Sequence, residues 1–333
     1  MTTSASTLAS LTRRDLHGLM AAMLLGAACG AAAQSYPTRP LKLVLGFPPG
    51  GAADGAARQL AEQLAVQFGQ PVIVENRPGA SGNIAAANVA RSPADGYTLF
   101  FGTNTTHAAN ATLYPKLEFD PVKDFEPVVM TMHVWNVLAV NPDFPAKNLR
   151  EFLAQAMARP GTINVATPGN ATSPHMSLEL LKTMADVELT HVPYKGSAFA
   201  LTNVMGGQVP AIFDNLPASL ALIKAGKIRA LAVSSPHRLE VLPDVPTFDE
   251  AGIKGYEVSG WGAIWVPAGT PQAIVQRLNM ELNAALKAPR VLRVMADNAM
   301  QPGGGTAASA ADFARAETIK WRDVIRRAGI QLQ

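Results

Sequence analysis

Apolar residues recur along this chain at two spacings, and the two alternate. Leu41–Phe47 is an apolar run of strand length, stopped by Pro48-Pro49-Gly50-Gly51. Directly after it, Ala57, Leu60, Ala61, Leu64, Ala65 and Phe68 fall at i, i+3, i+4, i+7, i+8 and i+11, one face of an α-helix. Gly69 supplies the left-handed residue that ends helices, and Pro71 forbids resumption. Val72–Val74 reads as the next strand and Ser81 as the cap of a helix to about Arg91. Tyr97–Phe101 reads as a strand, with Thr103–His107 as the turn after it. Ile163–Ala166, Leu189–Val192 and Val209–Phe213 repeat the scheme, each leading through polar or glycine-rich residues into a helical stretch. Such βαβα order predicts an α/β fold with mainly parallel sheets covered by helices.

Two segments break the alternation. Val134–Asn141 and Tyr256–Val266 are long, extended and rich in β-branched or aromatic residues, with no clear helix before further extended chain. Read as strands crossing between two lobes, they divide the chain unevenly. Residues 34–136 and 259–333 then form a discontinuous first lobe, and residues 137–258 form the second. The largely helical stretch from Pro271 onward would pack back on the first lobe.

Residues 1–33 read as an export signal. Arg13 and Arg14 give a short positive region, Gly18–Gly30 is apolar, and Ala31-Ala32-Ala33 offers an A-x-A cleavage site that would leave Gln34 first. The apolar stretch falls short of the ~20 residues needed to span a bilayer. Later segments are broken by charges, His or polar residues, so the mature protein is expected to be soluble and monomeric. Thr12-Arg13-Arg14-Asp15-Leu16 also resembles a twin-arginine signal, leaving that route and general secretion both open. Cys29, the only cysteine, lies inside this segment. Gly26-Ala27-Ala28 before it lacks the large aliphatic residue of lipid-attachment sites, so no lipid is expected, and the mature chain has no thiol chemistry.

Charge narrows the partners. The formal net charge is +3, and the 28 Lys and Arg are scattered without a basic run, which argues against nucleic acid.

The informative polar residues sit just after strands, where open α/β sheets form their ligand crevice. Helices starting there aim unpaired N–H groups and a partial positive charge at it. Gly50-Gly51 would admit an anion close to the backbone, with Asp54 in the first helical turn. No Lys follows these glycines and they do not fit G-x-G-x-x-G, so no nucleotide cofactor is implied. Ser81, Thr103-Asn104, Ser173 before Pro174, and Asp214-Asn215 before Leu216-Pro217 repeat the construction. One such cap serves its own helix; several converging on one crevice make an anion-friendly pocket.

Catalytic signatures are weak. Gly79-Ala80-Ser81-Gly82-Asn83 has Asn where G-x-S-x-G requires Gly. His107, His133, His175, His191 and His237 are dispersed and form no H-x-x-x-H, so no metal site is expected. His175, in a first helical turn beside Ser173, reads either as a partly exposed residue or as a pocket hydrogen bonder. Trp261 and Trp265 read as packing aromatics, and Lys195 as solvated.

Several stretches resemble the tripartite tricarboxylate transporter receptors, also called Bug receptors. They are Y-P-T-R-P-L-K-L-V-L-G-F-P-P-G-G-A-A-D from Tyr36, V-E-N-R-P-G-A-S-G-N-I from Val74, D-G-Y-T-L from Asp95 and H-V-P-Y-K-G from His191. I-K-A-G-K-I-R-A-L-A-V from Ile223, L-P-D-V-P-T from Leu242 and P-A-G-T-P from Pro267 complete the set, which spans nearly all of the mature chain. The resemblance implies a two-lobed, type II (Venus-flytrap) periplasmic binding protein that closes on a small carboxylate held largely by backbone groups. Matching positions are Phe47, Gly50, Gly51, Asp54, Ser81, Thr103 and Asn104 from the first lobe. Thr172, Ser173, His175, Tyr194 and Asp214 would come from the second. It also implies a periplasmic location, no cofactor, and integral-membrane transporter subunits, or a membrane sensor, as partner. Gly46 and Pro49 stand where Pro and Ala are common, and Phe199 where Pro is, which bears on pocket shape. An exported α/β hydrolase using Ser81 or Ser173 is the alternative. Dicarboxylates, amino acids, aromatic acids and nicotinate-like acids all remain open as ligands.

Overall fold

A computed structural model describes residues 36–327 and 329–330; the signal segment, with Cys29 and the cleavage site, lies outside the described residues. The first predicted strand and helix are β1 (Leu41–Leu45) and α1 (Ala52–Phe68). Ala57, Leu60, Ala61 and Leu64 of the expected apolar face are buried, and Gly69 ends the helix at φ 62°. β2 (Val72–Asn76), a 3₁₀ turn at Ala80–Gly82, α2 (Asn83–Ala90) and β3 (Thr98–Thr103) follow.

Ser81 does not cap α2. It has left-handed backbone angles (φ 54°), Gly82 takes the cap position, and the Ser81 hydroxyl accepts from Tyr114 instead. Thr103–His107 is also more than a turn. A π-helical turn (Thr105–Ala109) runs into α3 (Asn110–Leu113), with every residue from Thr105 to Asn110 buried. Its polar letters, Thr-Thr-His, hid a buried helical segment.

β4 (Phe125–Val140) is the first of the two long extended segments and begins well before the part expected for it. It leads into α4 (Leu149–Ala158), β5 (Asn164–Thr167), α5 (Ser173–Ala185) and β6 (Thr190–Pro193). α6 (Ser197–Met205), β7 (Ala211–Asn215), α7 (Leu216–Lys224) and β8 (Arg229–Val233) complete the middle of the chain. The second of the two long extended segments forms β9 (Ser259–Pro267), followed by α8 (Gln272–Leu286), α9 (Pro289–Asp297), β10 (Met300–Gly304) and α10 (Ala307–Arg327). β9 pairs with β3 and with the first part of β4, within one half-sheet.

The expected parallel strands are present as β2-β1-β3 and β6-β5-β7. These two long strands make the sheet mixed, since β9 runs antiparallel to β3 and to β4, and β4 runs antiparallel to β7, β8 and β10. β4 pairs with β9 and β10 up to Trp135, then exchanges them for β7 and β8 from Asn136. One strand therefore serves two half-sheets, and from Arg39 onward the chain forms one compact unit. α10 packs Trp321 into the core, and its Glu317 carboxylate accepts from the indole N–H groups of Trp261 and Trp321.

Candidate functional site

Two adjoining hollows open where strand ends of the two half-sheets meet. The inner holds about 610 Å³ of empty space, mouth included, and the outer about 1310 Å³. Phe47, Pro48, Pro168, Thr172 and Gly196 line both.

Four helices begin on the inner wall. α1 presents Gly51, Ala52, Ala53 and Asp54, α5 presents Thr172 and Ser173, α6 presents Gly196 and Ser197, and α7 presents its N-cap Asn215. No side chain caps α1, α6 or α7. First-turn amides have no intrahelical acceptor, so these ends offer donors and positive partial charge to one cavity. Among the described residues, neither Lys nor Arg lines it.

Asp54, the only charged side chain on that wall among the described residues, is already engaged. Its carboxylate accepts from the Gly50 amide (3.1 Å), Asn76 (2.9 Å) and both Arg58 donors (3.1 and 3.0 Å). Burial would raise its pKa, but these donors outweigh burial and lower it. Asn76 also donates to the Phe47 carbonyl, so Asp54 and Asn76 brace the whole first loop.

Thr103 and Asn104 enter the inner hollow from the end of β3. Only 6% and 4% exposed, they leave the Thr103 hydroxyl and the Asn104 Nδ2 without partners. A buried unpaired polar group costs about 1–3 kcal/mol.

The opposite wall is tied together by amides. Asn215 Nδ2 donates to Asn136 (2.6 Å) and to the Ser173 hydroxyl (3.0 Å), and Asn136 donates to Ser177 (2.7 Å). Asp214 lies behind this wall rather than on it. It accepts from Ser197 (2.7 Å), Ser219 (2.9 Å) and the Asn215 amide (2.8 Å), and complete burial pushes its pKa up to about 6 despite those donors. It thereby fixes two lining residues: Asn215, expected beside it at this helix start, and Ser197, which sequence reasoning did not select.

His175 also lies behind the wall, lining neither hollow and only 3% exposed. Its ring stacks on His191 at 4.0 Å, and Nδ1 accepts from the Ala171 amide. Burial, with His191 and Lys182 nearby, holds its pKa well below the ordinary value. Neutral His175 thus stabilises the left-handed Ala171 that turns the chain into α5. The cap there is Thr172, accepting from the His175 amide, with Ser173 one position inside the helix.

Ser81 and Tyr194 line the outer hollow, while Gly50 lines neither, facing a separate groove beside α1. Glycine is required where the loops meet. A Cβ on Gly46 would come within 2.6 Å of Gly82 Cα, and one on Gly196, at φ +116°, within 2.7 Å of the Pro48 ring. Gly196 was not anticipated, although it follows a strand end and opens a helix as Gly51 does. Trp261 lines the inner hollow while buried against the core.

Neither serine of the hydrolase alternative meets a base: Ser81 pairs with Tyr114, and Ser173 with Asn136 and Asn215. Residues 56–330 match the family described as tripartite tricarboxylate transporter family receptor. The chain belongs to that family. Solved structures agree in fold along nearly their whole length. Rpa4515 of R. palustris, solved with adipate, is 40% identical over 89% of this chain and 99% of its own, with a TM-score of 0.87. The periplasmic binding protein BugD is 32% identical over 90% and 100%, with a TM-score of 0.85. MatC of Rhodopseudomonas palustris, solved with bound malate, is 33% identical over 87% and 100%, with a TM-score of 0.81. The chain is accordingly a solute-binding receptor of the periplasmic-binding-protein fold, not an enzyme.

Proposed function

We propose that this receptor is exported to the periplasm, closes on a carboxylate in the inner hollow, and presents it to integral-membrane transporter subunits. The observation that carries the reading is the inner wall: helix starts from both half-sheets, two buried unpaired groups at Thr103 and Asn104, and no lining Lys or Arg. Such a wall suits a compact anion held by N–H groups and small polar side chains. The adipate and malate in the related structures support a carboxylate as that anion.

In this reading the first lobe comprises residues 34–136 and 259–333, and the second comprises 137–258. The exchange of partners along β4 at Trp135/Asn136 supports a hinge there. Gly51, Ser173 and the Thr103–Asn104 pair contact the carboxylate. Phe47, Ser81, Thr172 and Tyr194 shape the entrance, and Asp54, His175 and Asp214 hold the walls. Native mass spectrometry of the purified mature protein should find a retained acid, and adipate or malate should raise its melting temperature. Absence of both effects across a panel of carboxylates would refute the reading. Loss of acid uptake in cells lacking the chain supports the transporter partner, whereas unchanged uptake with altered gene expression would point to a sensor. N-terminal sequencing should begin at Gln34; a lipid-bearing Cys29 would overturn soluble export.

A further inference from the structure

The outer hollow is larger than a compact acid seated on the inner wall needs, and its walls differ in chemistry. Aromatic rings enter it from three separate loops and one helix start: Phe47 after β1, Tyr114 after α3, Tyr194 after β6, and Phe199 in the first turn of α6. Tyr114 spends its hydroxyl on Ser81, which leaves its ring as the surface it offers. Phe199 is 60% exposed. One exposed aromatic is ordinary on a protein surface. Here, however, it stands with Tyr194 on a cavity continuous with an anion seat, through the five residues lining both hollows.

Among the described residues, Lys195 is the only charged side chain on the outer wall, and it is exposed. A second carboxylate placed there would keep little of its attraction against water and salt. A flat apolar group would instead bury ring surface against rings, which prefer offset or edge-on packing and gain beyond area alone.

We propose that the ligand is an aryl-substituted carboxylic acid, with its carboxylate on the inner wall and its ring in the outer hollow against Tyr194 and Phe199. This rests on the carboxylate-receptor reading and specifies the rest of the molecule. Isothermal titration of the mature protein with benzoate, phenylacetate, 3-phenylpropionate and adipate tests it. The series varies the distance from carboxylate to ring. At least one aryl acid should bind tenfold or more tightly than adipate. Phe199→Ala, at an exposed position where folding is not at stake, should lower that preference about tenfold, whereas Lys195→Ala should leave it within about twofold. Adipate binding as tightly as every aryl acid would overturn the proposal, as would a preference that depends on Lys195 rather than Phe199. Failure of all four acids to bind would instead strike the carboxylate reading beneath it.

Discussion

Gly51→Asp should push stability and binding in opposite directions. Gly51 caps α1 with extended backbone (φ −87°) and no side-chain cap, and nothing lies within 4 Å of where a Cβ would stand, so an L-residue fits without strain. Asp there can accept from an amide of the first turn. That gains a few tenths of a kcal/mol over Gly as a cap, and a further ~0.3–1 kcal/mol from the helix dipole. The free protein should therefore melt slightly higher. The new carboxylate, however, occupies the amides proposed for the ligand and repels it. Two unit charges ~5 Å apart at an effective dielectric of ~20 interact by about 3 kcal/mol, roughly two decades in the dissociation constant.

The assay is a thermal shift with adipate at about 100 times the parental dissociation constant, which stabilises the parent by about 2.7 kcal/mol. With an unfolding entropy of ~2.1 cal/mol/K per residue over ~300 residues, that is a shift of about 4 °C. A hundredfold weaker variant then has ligand only at its dissociation constant and should shift by less than ~1 °C. A variant that melts higher and keeps the full shift would remove the Gly51 amide from the site. One that melts lower would refute the capping geometry.

Thr103→Val removes a buried unpaired hydroxyl, so the free protein should melt unchanged or higher while carboxylate affinity falls about tenfold by calorimetry. Lower stability would reveal a partner for that hydroxyl. Gly196→Ala should weaken binding by preventing the loops from meeting, and Pro48→Ala in the same chain should restore part of the affinity because it removes the 2.7 Å clash but not the φ +116° strain; titration that finds no rescue would assign the whole cost to the backbone. Asp214 has a folded pKa of about 6 against an ordinary 3.8, so between those values the native state holds a proton that the unfolded state releases. Its contribution to stability therefore falls as pH rises from about 4 to 6. Urea midpoints across that range should fall less steeply in Asp214→Asn, and an unaltered slope would mean that Asp214 does not titrate there.

The first loop and α1 were legible because their signals are local. A strand, a glycine pair, an i, i+3, i+4 apolar face and a terminal glycine follow one another within thirty residues, and each means the same thing wherever it stands. β8 and β10 were missed for the opposite reason. Met300–Gly304 contains Pro and two Gly, poor strand formers, and is extended because β4 pairs with it. The shift of the α5 cap from Ser173 to Thr172 is similar. Both residues can cap, and the left-handed Ala171, held by the buried His175, sets the choice.

The same distinction explains which site residues could be read. Gly51, Thr103 and Asn104 lie on the inner wall because of what each follows in its own half of the chain. Gly196 matters through Pro48, nearly 150 residues away, and Ser197 through a buried Asp214 further along the chain, so no local window contains either relation, whereas Asn215 stands next to Asp214 and was readable with it. His175 and Asp214 carry the chemistry that draws attention in a sequence, yet they are spent inside the walls. An anion seat assembled from amides leaves almost no signature in side chains, because any residue but Pro supplies an N–H. On the proposed reading, such a seat recognises a carboxylate while saying nothing of what the carboxylate is attached to. Discrimination among acids must then come from side chains that meet the remainder of the ligand, a part that the aryl-acid proposal gives to the rings of the outer hollow.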